Sequence, residues 1–204
     1  MDNKHVGVLL FVLFVFSFWT FVTLDGVPLE YPGTIKAADP FYHAFVTELI
    51  AKTGQWEYYP SFVAPGVTEE NSSGTGRVIN QQPPLPYFHA AGISLLSGIP
   101  PWASIYFLTA LAHAFLIIFL YLLSREVFQD SWVALVSSAL VVLPMPVKVW
   151  MYGLYIGFWI QVISYSFVVA FAWLFVRYWK RQDLLSLAGM GLCNLVIMIT
   201  HPQE

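Results

Sequence analysis

The 204 residues are 58% hydrophobic, 18% aromatic and 10% charged, with a net charge of −3. A soluble domain carries about 25% charged residues, so this composition excludes one and calls for a protein held in a membrane. There is no basic block, which sets nucleic-acid binding aside, and the single cysteine, Cys193, excludes an internal disulfide framework and reads as a small buried hydrophobe.

Val6 to Leu24 carries no charge and is long enough to cross a hydrocarbon core of about 30 Å, so it reads as a first transmembrane helix. A cleaved signal peptide competes, because Lys4 and His5 precede an apolar run; the run is long and aromatic and no Ala-x-Ala-like site follows, which favours the anchor. From Asp25 to Pro101 the chain is polar and rich in turn formers, and such a loop must lie outside the hydrocarbon.

That loop opens on Ala37-Ala38-Asp39-Pro40-Phe41-Tyr42-His43. Phe41, Phe45, Val46, Leu49 and Ile50 recur at three- and four-residue spacing until Gly54, the pattern of an amphipathic helix. Asp39 suits its N-cap, Pro40 its first position and Gly54 its end. His43 follows Asp39 by one turn and Thr47 follows His43 by another, so a carboxylate and an imidazole point towards one place. Asp39 as a cap without chemistry and His43 as a polar residue on the wet face of an interfacial helix are the alternatives.

Trp56, Tyr58 and Tyr59 follow, ring types that settle at membrane interfaces. Thr68 to Gly76 reads as a mobile polar loop, and its Asn71-Ser72-Ser73 matches a glycosylation sequon, a pattern common by chance. The loop closes on Gln81-Gln82-Pro83-Pro84-Leu85-Pro86-Tyr87. Each proline removes a donor and restricts its predecessor, so Pro83 to Pro86 is expected as a rigid extended element. A short interfacial helix, Tyr87 to Leu96 with His89 near its start, is expected to end near Gly98 to Pro101.

The second span is expected over Trp102 to Leu123, with His113 bonded to a neighbouring helix. Arg125, Glu126 and Asp130 form a polar turn before a third span, Trp132 to Val147, which ends in Pro144-Met145-Pro146 and a boundary loop with Lys148, Trp150 and Tyr152. Gly153 to Val176 is the fourth span, Arg177, Lys180 and Arg181 the most basic cluster, and Leu184 to Thr200 the fifth span. The expected fold is all-α, a polytopic transmembrane helix bundle with spans over 6–24, 102–123, 132–147, 153–176 and 184–200 and an external loop over 25–101.

Lys and Arg mark cytoplasmic loops, which places Arg181, Arg125 and the N-terminus inside and the 25–101 loop outside or in the lumen. Asp39 and His43, Lys148, and His201 with Glu204 then share the external face, the convergence a site requires. The chain stops soon after an apolar segment, so it is expected to be the N-terminal part of a longer polypeptide.

A first span, a long external loop that opens with an Asp-Pro-aromatic helix and closes with Pro-Pro-Leu-Pro-Tyr, and a run of membrane helices resembles the GT-C glycosyltransferases, in motif over Asp25 to Leu123 and in topology beyond. Asp39 to His43 is similar to the first-loop aspartate motif of the archaeal and eukaryotic oligosaccharyltransferase catalytic subunits. Gln81 to Tyr87 is similar to lipid-linked sugar transferases of the mannosyltransferase and aminoarabinose-transferase kind. The resemblance implies transfer of a sugar from a polyprenyl-phosphate-linked donor to an acceptor, protein or lipid/glycan, on the outer face of the membrane. It implies Asp39 and His43 as catalytic residues, Asp39 being the base or a metal ligand, and Tyr42, Pro84, Tyr87, Lys148, His201 and Glu204 as substrate-binding residues. Membrane lipids and the lipid-linked donor are the implied partners, the acceptor staying open.

A divalent metal, Mg or Mn, is the implied cofactor, with one departure: the oligosaccharyltransferases carry an acidic pair in the next external loop, and Pro144 to Tyr155 has no Asp or Glu. Lys148 there is a point cation offsetting phosphate charge or an ordinary interfacial lysine. His201 and Glu204 supply ligands or a second acid, or simply end a helix. Two other classes compete: a channel or transporter, disfavoured because the polar groups gather at one surface and no internal repeat is visible, and a non-catalytic relative that binds lipid or glycan.

Overall fold

The computed structural model describes residues 3–23, 38–55, 84–142 and 159–200. Among them the chain forms seven helices and no strand: α1 (Asn3–Thr23), α2 (Ala38–Thr53), α3 (Leu85–Ser97), α4 (Pro101–Phe128), α5 (Ser131–Val142), α6 (Trp159–Arg181) and α7 (Leu184–Met198). α4 is the hub, touching α1, α2, α3, α5 and α6, while α7 packs on α6.

α4 and α6 run parallel in one register along their lengths. Near their starts Tyr106 meets Trp159 edge to face at 5.3 Å; further on, Ser166 Oγ donates to the Ala112 carbonyl at 2.7 Å; at their ends Lys180 Nζ donates to the Glu126 carbonyl. α1 runs the other way, since Phe18 packs on Phe107 while Phe14 packs on Phe115. Between those pairs Ser17 Oγ and His113 Nδ1 share a buried hydrogen bond of 3.0 Å, the neighbour-helix bond expected of a mid-span histidine. This antiparallel pairing places α2, α3 and the starts of α4 and α6 at one end of the bundle, hereafter the motif end.

Two short turns close the opposite end in the same way. α4 stops at Gln129 and α6 is followed by Gln182, both in the left-handed region (φ 58° and 54°). Each glutamine is followed by an aspartate that caps the next helix: Asp130 accepts from the amides of Trp132 and Val133, and Asp183 from the amide of Ser186. Capping of this kind satisfies amides that have no partner within the helix.

Two helices among the described residues, Pro101–Phe128 and Trp159–Arg181, are long and apolar enough to cross a membrane; the apolar stretches Lys4–Trp19, Ser131–Val141 and Leu184–Met198 are shorter. Large apolar side chains such as Phe11, Trp19, Leu184, Leu185 and Leu192 face outwards, a surface that hydrocarbon covers without penalty and water does not. Cys193 is buried, as a small hydrophobe should be.

Several boundaries depart from the sequence reading. α4 continues through Arg125 and Glu126, which are helical rather than part of a polar turn, and α6 carries Arg177, Lys180 and Arg181 in its last turns. Cations at a helix C-terminus complement its dipole, and long charged side chains reach past the apolar zone without ending the helix. α5 ends at Val142, and the remainder of the expected third span and the first residues of the expected fourth, 143–158, lie outside the described residues.

Candidate functional site

α2 forms where the apolar spacing places it, and ends as expected: Gly54 takes φ +68° and its amide donates to the Ile50 carbonyl at 2.8 Å. It begins at Ala38, so Asp39 lies within the first turn instead of at the capping position, a one- to two-residue difference usual at helix starts. A carboxylate there still favours the helix through its dipole. The side chain of Asp39 lies outside the described residues, as do Lys148, His201 and Glu204 altogether.

His43 stands one turn further on and is not on a wet face: it is 1% exposed, in a buried stripe with Ala44, Val46, Thr47 and Ile50. Its Nδ1 shares a 2.9 Å hydrogen bond with the hydroxyl of Tyr87, which is itself fully buried. The imidazole packs near two rings, Tyr87 and Trp159, each with its centroid 5.8 Å away and tilted by 31°. Thr47 Oγ1 donates to the His43 carbonyl at 2.8 Å, turning that hydroxyl inwards. Three helices thus bring rings to one place, α2 with His43, α3 with Tyr87 and α6 with Trp159, and α4 adds Tyr106, which packs on Trp159. A polar ring is tolerated in such a core because its hydrogen bond offsets the cost of removing it from water.

Tyr42 packs edge to face on Tyr87 at 6.4 Å. Burial pushes its phenol well above the ordinary tyrosine range, so it stays protonated at every physiological pH. A neutral phenol donates a hydrogen bond and does not serve as a base.

The Pro-rich element differs from the extended strip expected. Pro84 is in the helical region (φ −81°, ψ −13°) as the N-cap of α3, and Leu85 and Pro86 form its first turn. The prolines fit because the first amides of a helix have no partner to lose; the Pro84 carbonyl accepts from the amides of both Tyr87 and Phe88 at 3.1 Å. This early start turns Tyr87 inwards towards His43. His89 is exposed and bonds the Leu85 carbonyl through Nδ1, apart from the aromatic cluster. Among the described residues no three His, Cys, Asp or Glu side chains gather where a metal ion could sit.

The structure brings His43, Tyr42 and Tyr87, all named from the sequence, into one neighbourhood, together with Trp159 and Tyr106, which the sequence reading left out. Their signal is an aromatic residue near the start of each of two long apolar helices that begin at the same end.

Comparison with known proteins covers α3 to α7, with Tyr87, Tyr106 and Trp159, and does not reach α2. Residues 81–199, more than half of the chain, match the protein family described as dolichyl-phosphate-mannose-protein mannosyltransferase. The match opens at Gln81, the first residue of the Gln-Gln-Pro-Pro-Leu-Pro-Tyr element, and runs past the end of α7. No curated protein matches the chain.

Proposed function

Because this chain belongs to the dolichyl-phosphate-mannose-protein mannosyltransferase family, a family of membrane-integral glycosyltransferases, we propose that it moves a sugar from a polyprenyl-phosphate-linked donor to an acceptor, protein or lipid/glycan, on the outer face of the membrane. Family membership is the observation that carries the proposal. The hydrogen bond from His43 to Tyr87 supports extending it to Asp39, because it ties the helix bearing Asp39 to the first helix of the matched region.

In this reading Asp39 is the catalytic carboxylate. It takes the proton of the acceptor hydroxyl or amide as that group forms its bond to the anomeric carbon, and the bond from that carbon to the phosphate oxygen of the carrier breaks. The negative charge left on the carrier phosphate is offset by Lys148 as a point cation. Tyr42 donates to the donor or acceptor, and Pro84, His201 and Glu204 line the substrate. Tyr87, enclosed and bonded to His43, supports the site from beneath. Asp39 holding Mg or Mn is the alternative use of the same carboxylate; transfer unaffected by a chelator favours the base. The reading includes five spans, with α1, α5 and α7 crossing beside α4 and α6, and an orientation in which the Arg125 and Arg181 end is cytoplasmic.

The test is Asp39→Asn in the full-length protein. Asparagine retains a capping oxygen and loses the charge and proton affinity. Transfer is expected to fall by roughly 10²-fold or more with Tm unchanged, the scale of a lost acid or base. Wild-type transfer by Asp39→Asn would return the residue to a helix-start role, and loss of Tm in step with activity would make it structural.

A further inference from the structure

We propose that His43 and Tyr87 are positioning residues for the transfer reaction, their hydrogen bond setting where Asp39 stands relative to the starts of α4 and α6. The inference rests on the reading of Asp39 given above and assigns His43 no contact with substrate.

Val46 and Ile50 press α2 onto Tyr87, Ala90 and Ile105 in one apolar cluster. Apolar burial is non-directional, so on its own it lets a helix rotate or slide by a fraction of an ångström at little cost. A hydrogen bond of 2.9 Å between two side chains exposed by 1% or less is directional, and breaking it takes a partner from two polar groups held out of water. The rings of Tyr87 and Trp159, each with its centroid 5.8 Å from that of the imidazole, crowd it as well, so both the hydrogen bond and the ring contacts index α2 against α3 and α6. Asp39 precedes His43 by four residues, about 6 Å along the helix axis. A rotation of α2 is transmitted to Asp39 almost undiminished over that distance. Sequence separation makes the link informative: His43 and Tyr87 are 44 residues apart, so local chain geometry does not impose their meeting.

The link also explains why a histidine occupies a core position. Leucine or phenylalanine would fill the same stripe at lower cost if packing were the whole requirement.

The experiment uses the full-length enzyme, with kcat, KM and Tm measured for Tyr87→Phe, His43→Leu and His43→Asn, and for Tyr87→Phe in an Asp39→Asn background. Tyr87→Phe keeps the ring and removes the hydroxyl. It is expected to lower kcat about tenfold through misplacement of Asp39, with KM and Tm near wild type. His43→Leu should lower kcat to a similar extent. His43→Asn, whose amide offers a polar atom near the place of Nδ1, should retain more activity than His43→Leu. The decisive readout is in the Asp39→Asn background, where Tyr87→Phe should cost nothing further, since a link that acts through Asp39 has nothing left to position. Multiplying losses in that background would overturn the proposal, as would wild-type kcat in Tyr87→Phe or His43→Leu, or a His43→Asn no better than His43→Leu. Wild-type activity in Asp39→Asn alone would overturn the catalytic reading itself, and is read from that single variant independently of the others.

Discussion

The two ends of the helix bundle are held by different physics. At the motif end, four helices converge on buried rings, with one polar ring tied by a hydrogen bond between side chains far apart in sequence. At the other end, two turns of nearly identical build do their work locally, each with a left-handed glutamine and a capping aspartate. One ion pair, Arg181 to Glu126 at 3.2 Å, joins the two turns, and Arg177 meets Asp183 at 3.4 Å within the second. Exposed ion pairs of this sort contribute little each, about 0–1 kcal/mol. The motif end therefore carries the larger share of side-chain stabilisation and is the less tolerant of change, the usual balance where position matters to chemistry.

The contrast breaks most easily at Tyr87. Tyr87→Ala removes a fully buried ring and the hydroxyl bonded to His43 Nδ1, and is expected to cost about 3–5 kcal/mol in detergent unfolding of the full-length protein. A cost under about 1 kcal/mol would show the aromatic core to be incidental. At the opposite end Asp130→Ala should cost only about 0.5–2 kcal/mol, the value of one cap, measured in the same way.

Acid sharpens the comparison without any substitution. The amide and hydroxyl of Ser186, followed by Arg177, hold the Asp183 carboxyl below the ordinary carboxylate range. A depressed folded pKa contributes stability that is complete above the unfolded value, near pH 4, and is lost as pH falls through the folded one. The Gln182-Asp183 turn should accordingly loosen below about pH 4, seen as a falling protection factor against amide exchange at Ser186. A protection factor at Ser186 that does not fall below about pH 4 would remove the cap from the comparison.

The smallest effect is expected at Gln129. Its left-handed backbone costs a residue with a side chain about 1–2 kcal/mol, partly recovered through its Nε2 bond to the Glu126 carbonyl at 2.7 Å. Gln129→Gly should thus stabilise by less than about 1 kcal/mol, after the entropy that glycine returns to the unfolded chain. A loss of more than that would mean the side-chain bond outweighs the strain.

Periodicity and end signals made α2 legible to within a few residues, with Gly54 as its stop, and the apolar runs of α1, α4 and α7 likewise. Periodic burial and glycine stops are local properties, so they show in a linear string. The depth of His43 does not show, because whether a polar residue on an amphipathic helix faces water or a partner depends on what packs against it, and Tyr87 and Trp159 lie far along the chain. The Pro84 to Pro86 segment misleads for a related reason: proline is forbidden inside a helix and favoured at its start, and only the position of the first turn distinguishes the two. The paired build of the Gln129-Asp130 and Gln182-Asp183 turns is visible as a repeated dipeptide, a weak cue until both glutamines are seen left-handed.

The ring-on-ring meeting of His43 and Trp159 also imposes a timetable. Trp159 follows His43 by more than a hundred residues, and ribosomes add about 5–20 residues per second. For roughly 5–20 s after α2 is made, its histidine has no tryptophan to lie against, whereas each Gln-Asp turn has all its parts within moments. The motif end therefore waits longest between its first part and its last, and a chain stalled or clipped before α6 would present its buried stripe, His43, Val46 and Ile50, to whatever inspects nascent membrane proteins.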